Sequence, residues 1–270
     1  MTKSLNSAYK RLRKILKGLE SVVVAYSGGV DSTLLLKVAK DVLGDRVLAV
    51  TARSETYPKE ELKSARAIAR RLKVKHKIIK TEETKDANFI NNTPNRCYYC
   101  KKELFSKLKE IANAEGLRAI VDGANKDDLK DFRPGHKAAQ ELGVRSPLQE
   151  AGLSKSQIRE LSKFLGLTTH NKPALACLSS RIPYGEKITP QLLKRIEDLE
   201  RYLKKLGLSQ IRIRHHDKIA RIEVLPDEFE IILKWRENII KRFKTTGYKY
   251  ITIDIEGYRI GSMNLMIEDD

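Results

Sequence analysis

Ser21–Tyr26 (SVVVAY) is a short apolar, β-branched run, and Ser27-Gly28-Gly29-Val30-Asp31-Ser32 follows it directly. A strand this uniformly apolar must be covered on both faces, as parallel strands are in α/β sheets. Beyond the glycines, Leu34, Leu35, Val38, Ala39 and Val42 keep helical spacing through Asp31–Leu43. A buried strand that turns through glycine into a helix opens a βα unit. It commits the chain to a sheet with helices packed on it.

The alternation continues. Arg46–Thr51 and Lys75–Lys80 read as strands flanking a helix at Lys59–Leu72, and Lys101–Glu115 reads as a helix before a strand at Arg118–Asp122. Strands and helices of these lengths predict an α/β fold with a doubly wound parallel sheet. Ser154–Leu165 opens on Ser-Lys-Ser-Gln, a capped helix start. Composition then shifts over Thr168–Tyr184, which carries Pro173, Pro183 and Ala-Cys-Leu-Ser-Ser-Arg. Beyond it come a helix (Pro190–Leu206), two strands (Gln210–His215, Ile219–Val224), a helix (Asp227–Thr245) and a strand (Tyr248–Asp254). The two middle strands, joined by His216-Asp217-Lys218, should form a hairpin. The expected organisation is a nucleotide-type domain over 1–170, a functional linker over 171–185 that holds Cys177, and a smaller α+β domain over 186–270.

Charge bounds the partners. Fifty-three Lys and Arg against 35 Asp and Glu leave a net charge of +18, which attracts polyanions or small anionic substrates. Nucleic acid is thereby permitted as a partner but not demanded, since a composition rich in Lys, Arg and Glu also marks heat-adapted proteins. No apolar run has the length to cross a bilayer, and no signal-peptide core is present, so a cytoplasmic location is expected. Met1–Leu19 sets Leu5, Leu12, Ile15, Leu16 and Leu19 among basic residues. That reads as an amphipathic helix packed on its own domain rather than on a membrane. A homo-oligomer is expected.

The glycine loop has its own chemistry. Glycines let the backbone approach phosphate, and the helix that follows presents unpaired N–H groups and a positive dipole end. Ser27 and Ser32 add hydroxyls. Asp31, an anion beside phosphate, is best placed to hold Mg²⁺. The loop lacks the Gly-Lys-Ser/Thr ending of a Walker motif and is not Gly-x-Gly-x-x-Gly. Ser-Gly-Gly-x-Asp-Ser after a buried strand resembles the PP-loop of ATP pyrophosphatases, which cleave ATP between the α and β phosphates. Arg53 and Ser54 at the end of the second strand, and Gly123 within Asp122-Gly-Ala-Asn125 at the end of the fourth, lie at the edge where open α/β sheets bind ligands.

The chain has three cysteines, Cys97, Cys100 and Cys177, an odd number that argues against a disulfide framework and for metal binding or catalysis. Cys97-Tyr-Tyr-Cys100-Lys101 at a helix start could be redox-active, could bind zinc with His136 or His170, or could hold iron–sulfur. Three cysteines near a nucleotide site fit a [4Fe–4S] cluster with one iron open to carry an extra sulfide. Lys101, beside the pair, joins Asp31 and Cys177 as a catalytic candidate.

Six motifs occur in order: Ser27–Ser32, Asp122-Gly-Ala-Asn-Lys-Asp-Asp128, Asp131-Phe-Arg-Pro-Gly135, Cys177-Leu-Ser-Ser-Arg-Ile-Pro-Tyr-Gly185, Arg212-Ile-Arg-His-His216 and Glu256-Gly-Tyr-Arg-Ile-Gly-Ser-Met-Asn264. Together they resemble the LarE family, ATP-dependent sulfur transferases of nickel-pincer nucleotide synthesis. The resemblance implies a PP-loop domain of the adenine nucleotide alpha hydrolase type. It implies adenylation of a carboxylate of a pyridinium dicarboxylate mononucleotide, then replacement of its oxygen by sulfur. It also implies that Arg212 and Arg214 grip the substrate phosphate, with Ser180, Arg181 and Arg259 nearby. Glu223 would orient an arginine or join a metal site. Members with one cysteine, at the position of Cys177, give up its sulfur. Members that also have the C-x-x-C pair use a cluster-bound sulfide, which implies Cys97, Cys100 and Cys177 as cluster ligands here and sulfide or another sulfur donor as a partner. The rival readings are a tRNA thiolation enzyme with the same loop, and a non-enzymatic RNA-binding protein, which leaves Ser-Gly-Gly-Val-Asp-Ser unexplained.

Overall fold

In the computed structural model, residues 1–130, 134–173, 176–259 and 262 are described. The chain runs α1 (Lys3–Leu19), β1 (Val22–Ala25), α2 (Val30–Leu43), β2 (Val47–Arg53), α3 (Lys59–Arg71), β3 (Lys75–Lys80), α4 (Ala87–Ile90), α5 (Arg96–Ala114), β4 (Ala119–Val121), α6 (Pro134–Glu141), α7 (Pro147–Glu150), α8 (Lys155–Phe164), α9 (Pro190–Lys205), β5 (Arg212–His216), β6 (Ile219–Glu223), α10 (Phe229–Lys234), α11 (Arg236–Lys244) and β7 (Tyr250–Ile253). It divides into two units, Met1–Glu83 with Cys97–Leu175, and Thr84–Arg96 with Ala176–Asp270.

The first unit is a parallel sheet in the order β3-β2-β1-β4, the doubly wound arrangement the alternation predicts. β1 sits between β2 and β4, pairing Val24 with Ala49 on one side and Val121 on the other. Its alternate side chains enter opposite cores. Val22 and Val24 join Leu5, Leu12, Leu16, Leu34 and Leu35 on one face. Val23 joins Val50, Phe105, Leu108 and Ile120 on the other. This two-sided burial is why the strand carries no polar residue. β3 has no buried residue, as its lysines require of an outer strand. α1 buries Leu5, Ala8, Leu12 and Leu16 in that same core, so its apolar face packs on its own unit. α8 has the predicted capping box, with Ser154 accepting from the Gln157 N–H. Among the described residues no helix is long and apolar enough to cross a membrane.

The second unit is α+β. Its sheet, ordered β5-β6-β7, joins an antiparallel β5–β6 hairpin to a parallel β6–β7 pair. Thr84–Arg96 belongs to this unit through specific bonds. Asn92 is fully buried at φ 52° and donates to the carbonyls of Ile182 (3.3 Å) and Pro183 (2.6 Å). The Ile188 N–H donates to the Ile90 carbonyl, and Arg96 stacks 4.5 Å over the Tyr184 ring.

Two boundaries differ from expectation. The helix predicted from Lys101 begins at Arg96, because the Arg96 N–H already bonds the Thr93 carbonyl; the cysteine pair therefore lies inside its first two turns. The single helix predicted over Asp227–Thr245 is a 3-10 turn followed by α10 and α11, bent at Trp235 (φ −99°, ψ 16°). The Trp235 N–H bonds the Ile231 carbonyl and the Ile239 N–H the Trp235 carbonyl, while Ile232, Ile239 and Phe243 keep one buried face across the bend, so apolar periodicity could not reveal it.

Candidate functional site

The phosphate loop is shaped by its own serines. Ser27 Oγ and Ser32 Oγ lie 3.0 Å apart, and the Ser27 N–H reaches Ser32 Oγ at 3.3 Å. Gly28 sits at φ 66°, and a Cβ there would come within 2.8 Å of the Ala65 Cβ on α3. Gly29 is the N-cap of α2 and has no side chain to cap it. The first-turn N–H groups of α2 thus lack intrahelical partners and form an anion-binding helix end. Two residues that sequence reasoning missed hold the loop's carbonyls. The Tyr57 hydroxyl donates to Ser27 O at 2.5 Å, and burial followed by Glu61 raises its pKa, so it remains a donor. Lys172 Nζ donates to Gly28 O at 3.0 Å.

Asp31, in the first turn of α2, is bridged by Lys155 of α8, with Asn125 Nδ2 3.5 Å from its other oxygen. Lys155 was not foreseen, since nothing in its sequence neighbourhood separates it from a surface lysine. Gly123 packs on the start of α2: a Cβ there would lie 3.1 Å from the Ser32 nitrogen. The glycine is needed for close approach of β4's end to the phosphate loop. Ser27, Gly28, Gly29, Asp31, Ser32 and Gly123 are therefore gathered at one edge of the sheet. Ser54 is engaged elsewhere. Its hydroxyl donates to Glu83 (2.6 Å), a buried carboxylate that also accepts from Thr56 (2.7 Å). A groove of about 540 Å³ beside α3 is lined by Ser64, Arg71, Thr168 and Lys172, among others.

Cys97 and Cys100 stand three apart in the first turns of α5, the end at which the helix dipole favours thiolate. Cys97 is exposed, Cys100 half-buried, and neither forms a disulfide. Lys101 lies with Nζ 5.1 Å over the Phe105 ring, and a Cβ on Gly135 would press within 2.9 Å of its Cγ. Among the described residues no three His, Cys, Asp or Glu side chains gather as a metal-ligand set. Asp131–Arg133 of one motif and the last residues of another, beyond Arg259 except Ser262, lie outside the described residues.

In the second unit exposed Cys177 precedes the 3-10 turn Leu178–Arg181. Arg181 is buried and holds this segment. Its Nη1 donates to the carbonyls of Ala176 and Cys177, both at 2.9 Å, while Nε and Nη2 bind both oxygens of Glu200. Burial works against both charges, but the pairing prevails: Glu200 is held below its ordinary pKa and Arg181 above. Arg214 repeats the arrangement. It binds both oxygens of Glu223, at 2.9 and 2.7 Å, and donates to Ser180 O. Glu223 is fully buried and also accepts from Ser262. Of its two expected roles, the geometry is that of an arginine-orienting carboxylate. Arg212 shares a strand face with Arg214, donates to the Ile211 carbonyl and covers the Tyr258 ring at 5.1 Å. Burial and then Arg181 lower its pKa. Arg259 pairs with Glu256 on the surface. The unit thus packs Arg181, Arg212 and Arg214 around Glu200 and Glu223, an interior that leans positive. Glu200, which closes the Arg181 pair, carried no motif signal.

Residues 4–112 match the family model for NAD synthase. The chain is 43% identical to an uncharacterised protein of Synechocystis sp., over 97% of this chain and 99% of that one. It is 42% identical to the pyridinium-3,5-bisthiocarboxylic acid mononucleotide synthase of Lactiplantibacillus plantarum, over 92% of this chain and 91% of the synthase. An uncharacterised protein of Methanocaldococcus jannaschii is 32% identical over 93% of this chain and 98% of its own. Likeness to the synthase runs through both units rather than stopping at the phosphate loop, and the chain therefore belongs to the LarE family within the PP-loop superfamily.

Proposed function

We propose that this protein is an ATP-dependent sulfur transferase that adenylates a carboxylate of pyridinium-3,5-dicarboxylate mononucleotide and exchanges its oxygen for sulfur. The observation that carries the reading is the identity with the synthase over nine-tenths of both chains, joined to a phosphate loop of pyrophosphatase type. In the first step a substrate carboxylate oxygen bonds to the α-phosphorus of ATP while the bond to the β-phosphate oxygen breaks. Pyrophosphate leaves, and the acyl adenylate retains AMP. The bare start of α2 and the Ser27 and Ser32 hydroxyls suit the polyphosphate. Asp31 would hold Mg²⁺, exchanging the Lys155 contact for the metal. A sulfur nucleophile then adds to the acyl carbon, and AMP departs with the carboxylate oxygen.

Arg212 would set the substrate phosphate, a group matched to fixed guanidinium donors, while Arg214, whose donors are engaged by Glu223, Ser180 O and Ser262, would hold the strand beside it. Arg181 holds the backbone around Cys177 and so fixes where its thiol starts. Lys101 is the candidate to steady charge on the adenylate. Cys97, Cys100 and Cys177 would hold a [4Fe–4S] cluster, the donor set that a C-x-x-C pair with a third cysteine supplies in sequence. When bound, the cluster would supply a replaceable sulfide in place of the cysteine's own sulfur.

The test is substrate-dependent formation of AMP and pyrophosphate; ADP and phosphate would exclude the reading. Anaerobically prepared protein should carry about four irons per chain, and single replacement of any of the three cysteines should remove most of them. Cys177 recovered as dehydroalanine after one turnover, with Cys97→Ala fully active, would replace the cluster by a sacrificial cysteine.

A further inference from the structure

Lys172 belongs to none of the motifs, yet it reaches the phosphate loop. Its side chain is 16% exposed and that of Glu61 on α3 is 14% exposed, and the two form an ion pair at 2.6 Å. The same ammonium lies 3.0 Å from Gly28 O and 3.4 Å from Ser64 Oγ. The ammonium thus donates to Gly28 O and Ser64 Oγ while the Glu61 carboxylate neutralises its charge.

The contact fixes a peptide plane. In a trans peptide the carbonyl and the following N–H point in opposite directions. Drawing Gly28 O toward Lys172 and α3 therefore turns the Gly29 N–H away from α3. That N–H meets Ser27 Oγ at 3.4 Å, a long contact that a phosphate oxygen can replace. Gly28 can take this orientation because it has no Cβ, at φ 66° and against Ala65. Tyr57 acts alike one peptide earlier, through Ser27 O.

We propose that Lys172 is a positioning residue for adenylation: gripped by Glu61, its ammonium fixes the Gly28 carbonyl and so aims the Gly29 N–H at the departing pyrophosphate. The inference rests on the loop being the ATP phosphate site. Lys172 acts through the loop and not as a charge on ATP, and Glu61 is part of the device although it is an anion beside a polyanion.

That last point gives the experiment its sign. Removing the Glu61 charge by electrostatics alone would tighten ATP binding. If Glu61 is the anchor of the tether, removing it loosens the loop and weakens binding. ATP affinity and the kcat and KM of substrate-dependent pyrophosphate release should be measured for full-length wild type, Glu61→Gln, Lys172→Met, the double variant and Lys172→Arg, with melting curves for each. Expected are an ATP KM raised about tenfold in Glu61→Gln and in Lys172→Met (~1.4 kcal/mol), a double variant no worse than either single, and substantial recovery in Lys172→Arg. The double variant also removes the unpaired charge, so it reports on the tether even where a single variant melts early. Glu61→Gln binding ATP as tightly as wild type or more tightly would overturn the proposal, as would additive losses in the double variant. Wild type that binds no ATP would overturn the reading of the loop itself.

Discussion

Arg214→Met is the substitution that best separates a structural arginine from a substrate-gripping one. Glu223 is fully buried, and both of its oxygens accept from Arg214. The substitution leaves the carboxylate in the interior with Ser262 and Arg221, the latter 3.4 Å away and shared with Asp254. Removing one partner of a buried ion pair costs about 3–5 kcal/mol when the remaining charge has neither water nor counter-ion, and the shared Arg221 places the loss here near the lower end, about 3 kcal/mol. In a chain of this size each kcal/mol lowers Tm by about 2–4 °C, so the fall should be on the order of 10 °C. The second replacement supplies the control. Arg214→Met with Glu223→Gln removes both charges, and a neutral pair should recover more than half of the loss. Thermal melts followed by circular dichroism, with and without ATP, would measure this. If Arg214→Met melts with wild type and only mononucleotide binding suffers, the pairing with Glu223 contributes little and the guanidinium belongs to the substrate.

Arg212→Ala should weaken mononucleotide binding more than ATP binding by calorimetric titration; equal losses would point to a general defect of the second unit. Asp31→Ala should abolish substrate-dependent pyrophosphate release in a protein that still melts near wild type, and retained release would remove Asp31 from the proposed metal site. Gly28→Ala forces a left-handed backbone on a residue with a Cβ, at about 1–2 kcal/mol, and presses that Cβ toward Ala65; ATP affinity should fall with stability. Burial, then Arg195, lowers His215 from 6.5 to about 4. The unfolded chain therefore takes up the proton first as pH falls, so this contribution is complete above about pH 6.5 and is lost on descending toward about 4. Urea midpoints at pH 7 and 4.5 should show the drop, and His215→Gln should flatten it.

The βα alternation and the phosphate loop were legible in the sequence because their causes are local. Val22, Val23 and Val24 state by composition that both faces of β1 are covered, and helical spacing survives in α2 and α3 whatever they pack against. Gly28 and Gly29 carry their meaning in backbone freedom, which needs no partner to be recognised. The bend at Trp235 was not legible, since the apolar period runs through it unbroken. What only the tertiary structure decided is which side chains meet across long separations: Lys155 with Asp31, Ser54 with Glu83, Arg181 with Glu200, and Lys172 with Glu61 and Gly28. The grouping of Thr84–Arg96 with the second unit is of the same kind, resting on the bonds of Ile90 and Asn92. A lysine or glutamate looks alike in sequence whether solvent or a buried partner receives its charge. Burial and pairing are properties of neighbours brought together by the fold, and they give Arg181 and Lys172 partners that no local pattern could state.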